Sequence, residues 1–219
     1  MAYNIAIDGP AGAGKSTIAK NVSKELGYIY IDTGAMYRTI ALFMLENKID
    51  TTSEAAVSEK LDEVNVSLKH LEGSQHIFLN GRDVSTDIRQ EIVGNAASVV
   101  SAYGPVRAKL LDLQRSLAAA NDCIMDGRDI GSFVLPDADL KIYLTASVEA
   151  RAKRRYDELT AKGVECDMAV ISADIEERDY RDMHREIAPL VQAEDAVYLD
   201  SSDMNIEEVT DKIISLVRH

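Results

Sequence analysis

The chain has 219 residues, 46% of them hydrophobic, and a formal net charge of −13. That length and apolar content can fill a core, which excludes an intrinsically disordered protein. The charge opposes general affinity for nucleic acid or anionic membrane, so any positive surface must be local. Two cysteines, Cys123 and Cys166, suit a reducing interior better than a disulfide framework. The longest apolar runs are too short to span a bilayer, and a strand starting at residue 3 leaves no room for a signal peptide. The expectation is a soluble cytoplasmic protein with neither nucleic-acid nor membrane partners.

Residues 3–8 read as a short buried strand. The next segment, Gly9-Pro10-Ala11-Gly12-Ala13-Gly14-Lys15-Ser16-Thr17, fits G-x-x-x-x-G-K-[ST], and residues 16–26 then read as a helix stopped by Gly27. Strand, glycine loop and helix in that order make a phosphate-binding loop. Glycines let successive N–H groups face the β- and γ-phosphates of a nucleoside triphosphate, and the helix N-terminus adds its positive dipole end. Lys15 would reach the β/γ oxygens, and the Ser16 hydroxyl would be a ligand to Mg²⁺, with Thr17 as the fallback.

Four further buried strands are expected at 28–32, 123–126, 140–145 and 196–200. With helices between them they give a doubly wound α/β fold whose strands share one carboxyl edge, where ligands bind. After the second strand comes Asp32-Thr33-Gly34-Ala35-Met36-Tyr37-Arg38. Asp32 or Thr33 can cap the following helix, and Arg38 would hold the phosphate of a second substrate beside Tyr37. Asn47-Lys48-Ile49-Asp50 matches the guanine-reading N-K-x-D of signalling GTPases, but it falls soon after Lys15, at the end of a helix, and reads as a helix terminus. Between 62 and 87 the period changes to two, with turns at Gly73-Ser74 and Asn80-Gly81, as in a small antiparallel β insertion of about two or three strands. Residues 88–120 read as two helices broken at Gly104-Pro105.

The third buried strand ends in Asp126-Gly127-Arg128-Asp129. An Asp there can hold Mg²⁺ through water, and Arg128 and Asp129 project into the same crevice. Two helices are expected at 149–162 and 170–187. Arg151, Arg154 and Arg155 lie at i, i+3, i+4 on the first, and Arg178, Arg181 and Arg185 at i, i+3, i+7 on the second. Alone, such a pair reads as a salt-bridged solvated surface. Beside a phosphate-binding loop it reads as a mobile lid, 149–190, whose guanidinium forks neutralise a transferring phosphoryl group and exclude water. The histidines show no metal-ligand spacing.

Taken together, GPAGAGKST, DTGAMYR, NAASVVSAYGPVR, DGRDIG and ERDYRDMHREIAPL resemble the bacterial cytidylate kinases, from the first strand to the C-terminus. The resemblance implies a single P-loop kinase domain, 1–219, with a five-stranded parallel sheet, a substrate-side insertion at 62–87 and a helical lid. It implies transfer of the γ-phosphate of ATP to CMP or dCMP, with Mg²⁺, by a monomer. It implies ATP contacts from the loop residues Gly9 to Thr17 and from Arg154, and catalytic roles for Lys15, Arg128, Arg178, Arg181 and Arg185. It also places Thr33, Tyr37, Arg38, Ser98, Arg107, Arg128, Asp129, Asp182 and Arg185 around the acceptor. Cytosine presents acceptors at O2 and N3 and a donor at N4, so Arg107 would serve the acceptors and Ser98 or Asp129 the amino group. Arg38, Arg128 and Arg185 would hold the acceptor phosphate, and Asp182 a ribose hydroxyl. Family members vary between Gly and Ser after the loop lysine, and here Ser16 stands there. The alternatives are a kinase of UMP, AMP or shikimate, and a nucleotide-dependent switch.

Overall fold

A computed structural model describes residues 2–71 and 74–217. In chain order the elements are β1 (Asn4–Asp8), α1 (Lys15–Leu26), β2 (Ile29–Asp32), α2 (Thr33–Glu46), α3 (Glu54–Lys60), β3 (Val66–Leu71), β4 (Ser74–Leu79), β5 (Arg82–Asp83), α4 (Glu91–Val100), α5 (Gly104–Ala120), β6 (Cys123–Gly127), β7 (Leu140–Thr145), α6 (Val148–Ala161), α7 (Met168–His184), β8 (Val197–Asp200) and α8 (Ile206–Leu216). They divide into two units, one made of residues up to Tyr30 and from Ala120 onward, the other of Ile31–Ala119. The chain passes from one to the other within β2.

The larger sheet has five strands in the order β2-β6-β1-β7-β8. Ile5, Ala6 and Ile7 of the central strand have no exposed surface, which is why β1 is an unbroken apolar run rather than an alternating one. Ile5, Ile7, Ile142 and Leu144 pack with Ile18, Ala19 and Val22 of α1 and with Val209 and Ile213 of α8. Helix α8 has no counterpart in the sequence reading. Its signal is a capping box, in which Asn205 accepts from the Glu208 amide at 3.0 Å and Glu208 accepts from the Asn205 amide at 2.8 Å.

In the other unit, Met36, Ile40 and Met44, at i, i+4, i+8 on α2, have no exposed surface, and α2 packs on α4 and β4. The strands β3, β4 and β5 form a three-stranded antiparallel sheet. Asn80 and Gly81, with φ of 50° and 86°, turn β4 into β5, the left-handed pair a two-residue hairpin needs. Of the other expected turn, Gly73 lies outside the described residues. The break in 88–120 falls at 101–103, earlier than expected. Pro105 sits in the first turn of α5, where its missing N–H interrupts nothing. Asn47 caps the C-terminus of α2 and Lys48 has φ 57°, so the N-K-x-D match is a helix terminus.

Asp8 ends β1. Its two carboxylate oxygens accept from the Ile130 and Gly131 amides at 2.7 Å each, stapling the start of the phosphate loop to the turn that follows β6. Burial pushes this carboxyl up from 3.8 to about 6, with the nearby Asp129 charge adding to the rise, although the two amide bonds oppose it. Because the folded value is raised, ionising Asp8 destabilises the fold. That cost is absent below pH 4, grows between about 4 and 6, and is constant above. In Asp8→Asn the titration is gone, so the variant's stability deficit should narrow by about 3 kcal/mol from pH 4 to pH 7. Urea unfolding at the two pH values checks this, and a pH-independent deficit contradicts it.

At Gly9 a Cβ would stand 1.9 Å from the Leu144 carbonyl oxygen of β7, and φ there is 148°. Gly9→Ala must therefore push the loop away from β7. We expect a loss of at least about 2 kcal/mol, read as a lowered urea midpoint, and an unchanged midpoint would refute the contact.

Candidate active site

Three glycines shape the loop after β1, with φ of 148° at Gly9, 75° at Gly12 and 88° at Gly14. Gly14 starts α1 with no side chain capping it, so its first turn presents backbone amides to an anion. Gly12, Ser16 and Thr17 are exposed whereas Lys15 is buried. The Lys15 ammonium donates to the Gly9 and Pro10 carbonyls at 2.6 and 2.7 Å. Burial, and then the Arg128 charge, push its pKa well below the usual lysine range, while Asp126, Asp182 and Asp8 pull it back. A phosphate oxyanion brought to the ammonium would favour the charged form in the same way.

Asp126 is the last residue but one of β6. Its Oδ2 accepts from the Ser16 hydroxyl at 2.8 Å and its Oδ1 from the Tyr30 hydroxyl at 3.0 Å. The two expected metal residues are thus adjacent. Tyr30 was not foreseen, because an aromatic residue in a buried strand reads as core.

The arginines divide by partner. Arg128 Nε donates to Asp182 Oδ2 at 2.8 Å, and Arg185 donates to Asp129 Oδ1 at 3.1 Å and to the Ala188 carbonyl at 2.7 Å. Burial alone would raise the Asp182 carboxyl, but the Arg128, Arg178 and Arg185 charges hold it below its usual value. Arg185 is not on the helix as expected. It caps the end of α7 with extended backbone, and the turn at Ala188, φ 47°, is held by its guanidinium. Arg181 is half-exposed, 3.7 Å from Glu177. Arg154 donates to the Ser201 carbonyl at 2.5 Å, and Arg155 pairs with Glu158 at the surface at 3.0 Å. Arg151 is buried and bonded to the phosphate loop. Lys15, Ser16, Asp126, Arg128, Asp129, Arg178, Asp182 and Arg185 are therefore gathered in the five-stranded unit, and Arg154, Arg155 and Arg181 turn elsewhere.

In the other unit, Asp32 caps α2 by accepting from the Ala35 amide at 2.8 Å and also holds Arg38 at 2.9 Å, with Arg89 3.6 Å away. Thr33 is buried at the first position of α2. Arg107, 4% exposed, lies with its guanidinium carbon 5.8 Å from the Tyr37 ring centroid and donates to the Ser101 carbonyl at 3.1 Å. That carbonyl is one turn from Ser98, whose buried hydroxyl has no hydrogen-bond partner among the described residues. Tyr37, Ser98 and Arg107 thus supply a ring face, a hydroxyl and a fork of donors. The sequence reading did not find the Asp32–Arg38 ion pair, whose signal, an acid and a base six residues apart across a helix start, is weak.

The family model for cytidylate kinase matches residues 5–219. The cytidylate kinase of Caldicellulosiruptor saccharolyticus is 53% identical over 213 residues, covering 97% of this chain and 94% of that protein. That of Lactobacillus johnsonii is 49% identical over 214 residues, covering 98% and 93%. Among solved structures, shikimate kinase from Bacteroides thetaiotaomicron superposes with a TM-score of 0.50 over 98% of this chain and 97% of that one, at 13% identity, a likeness of fold alone. With a family match from the first strand onward and about half of all positions identical to named relatives, the chain belongs to the cytidylate kinase family.

Proposed function

We propose that the protein transfers the γ-phosphoryl group of ATP to CMP or dCMP, giving ADP and CDP or dCDP. The observation that carries this reading is identity of 49–53% along nearly the whole chain to proteins named cytidylate kinase. The close placement of Lys15, Ser16, Asp126, Arg128, Asp182 and Arg185 in one unit supports it, whereas the roles of Arg154 and Arg181 rest on the family resemblance and require those side chains to leave Ser201 and Glu177. The loop residues Gly9 to Thr17, through the backbone N–H groups that all but Pro10 possess, and the Lys15 ammonium are assigned to the ATP phosphates, with Arg154 as a further ATP contact. Arg128, Arg178, Arg181 and Arg185 are assigned to the charge that spreads over the transferring group.

Ser16 and Asp126 fit Mg²⁺, a hard cation that takes oxygen ligands and keeps several waters. Their oxygens lie 2.8 Å apart, and among the described residues no cluster of three His, Cys, Asp or Glu competes for a metal. Mg²⁺ bound with ATP would neutralise β/γ charge.

Arg38, Arg128 and Arg185 are assigned to the acceptor phosphate, Thr33 and Tyr37 to its surroundings, Asp182 to the ribose, and Ser98, Arg107 and Asp129 to cytosine. An arginine facing N3 finds an acceptor in cytosine and a donor in uracil, so UMP leaves buried donors unpaired and is disfavoured. The acceptor phosphate is already anionic at neutral pH, so no general base is needed and positioning carries the reaction. Residues 149–190 are proposed as a lid that keeps water from the phosphoryl group, and 62–87 as an acceptor-side insertion. The net charge of −13 and two free cysteines support work in the cytoplasm without nucleic acid or membrane, and the family resemblance points to a monomer.

Arg107→Ala separates the base-reading role from a general one. The KM for CMP should rise about ten- to a hundredfold with the KM for ATP little changed, and an equal loss of both would place Arg107 outside the base pocket. Lys15→Ala should lower kcat about a thousandfold or more. Because Lys15 also holds two loop carbonyls, its thermal midpoint should fall modestly too, and activity near wild type would overturn the loop assignment.

A further inference from the structure

Arg151 is 4% exposed and its guanidinium reaches three segments of the same unit. Its Nε donates to the Ala146 carbonyl at 2.9 Å, and its NH1 donates to the Ala11 carbonyl at 2.9 Å and lies 2.7 Å from Asp179 Oδ2 on α7. Its stem backs the loop, since a Cβ on Gly12 would stand 3.5 Å from the Arg151 Cβ.

A trans peptide is planar with C=O and N–H antiparallel. Pinning the Ala11 oxygen to Arg151 therefore aims the Gly12 N–H directly away from Arg151. Lys15 holds the two preceding carbonyls, those of Gly9 and Pro10, and of these two peptides only Pro10–Ala11 carries an N–H to direct. Two buried cations thus set the direction of successive peptide planes, and one of them is fastened to α7 between Arg178 and Asp182. Asp179 sits there at a cost, because its Oδ1 is buried with no hydrogen-bond partner among the described residues. An orphaned carboxylate oxygen is unfavourable and is tolerated where the other oxygen is firmly engaged.

We propose that Arg151 is a positioning residue for ATP, orienting the Gly12 amide toward the nucleotide phosphates, and that Asp179 couples this orientation to α7. The inference rests on the proposed function only for the identity of the nucleotide. A role in filling space alone would need the stem but not the fork.

The test is direct binding of Mg·ATP by calorimetry, without acceptor, for wild type, Arg151→Lys, Arg151→Met and Asp179→Asn, beside steady-state kinetics and thermal midpoints. Lysine keeps the charge and most of the stem, but its compact ammonium cannot reach from one point the spread positions that Nε and NH1 of the guanidinium fork serve. Arg151→Lys should weaken Mg·ATP binding about tenfold or more and raise the KM for ATP, with the KM for CMP unchanged. Asp179→Asn should lower kcat more than it weakens ATP binding, and the double variant Arg151→Met/Asp179→Asn should lose less than the sum of its parts. Should Arg151→Met fail to fold, Arg151→Lys and Asp179→Asn suffice. Full ATP affinity in Arg151→Lys, or additive losses, would overturn the proposal. Failure of the wild type to phosphorylate CMP would sink the proposed function instead and leave the ATP-binding comparison standing.

Discussion

The phosphate loop depends on the direction of its peptide planes. A loop that binds anions must turn its amides one way and hide its carbonyls the other, and carbonyls need donors when they are buried. Here the donors are two cations. Lys15 takes the carbonyls of Gly9 and Pro10 and Arg151 takes that of Ala11. Gly9 packs its backbone against β7 so closely that no side chain fits. Asp8, one residue earlier, fastens the end of β1 to the turn after Asp129. The loop is thus fixed at its start, at its back and through its lysine, before any ligand is considered.

The same economy governs charge. A chain with 37 acidic and 24 basic side chains concentrates its arginines around a few buried carboxylates. Arg128 with Asp182, Arg185 with Asp129, Arg151 with Asp179 and Arg38 with Asp32 are all close pairs. Each pair keeps a guanidinium oriented without leaving a bare charge in a low-dielectric interior. An incoming phosphate can compete for the forks of Arg38, Arg128 and Arg185, because two oxygens of the tetrahedral group can accept from one guanidinium as the two oxygens of a carboxylate do.

Much of the fold was legible in the sequence. The five parallel strands end within a residue or two of the expected positions, because each is a short apolar run and four of the five are closed by Asp or Gly, β7 ending at Thr145 instead. Helix ends were less legible. Pro105 reads as a breaker and serves as a starter, and α7 stops at His184 because the chain must turn at Ala188 ahead of Pro189. Arg185 consequently leaves the helical stripe that its spacing suggests. Within the candidate site, residues that contact ligand through fixed motifs were visible, whereas those that act on other residues were not. Tyr30, Asp8 and the Asp179 partner of Arg151 carry no local pattern, since their partners lie more than a hundred residues away for Asp8 and 28 for Asp179. Only the folded chain brings them together.

A preformed phosphate loop in this family serves transfer to a cytosine nucleotide rather than hydrolysis or switching. The most direct measurement is ADP release from Mg·ATP by the purified protein with CMP, dCMP, UMP, AMP, shikimate or no acceptor. Turnover should be rapid with CMP and dCMP, weak with UMP and almost absent without acceptor. Preference for a different acceptor, or steady ADP release with none, would contradict that role.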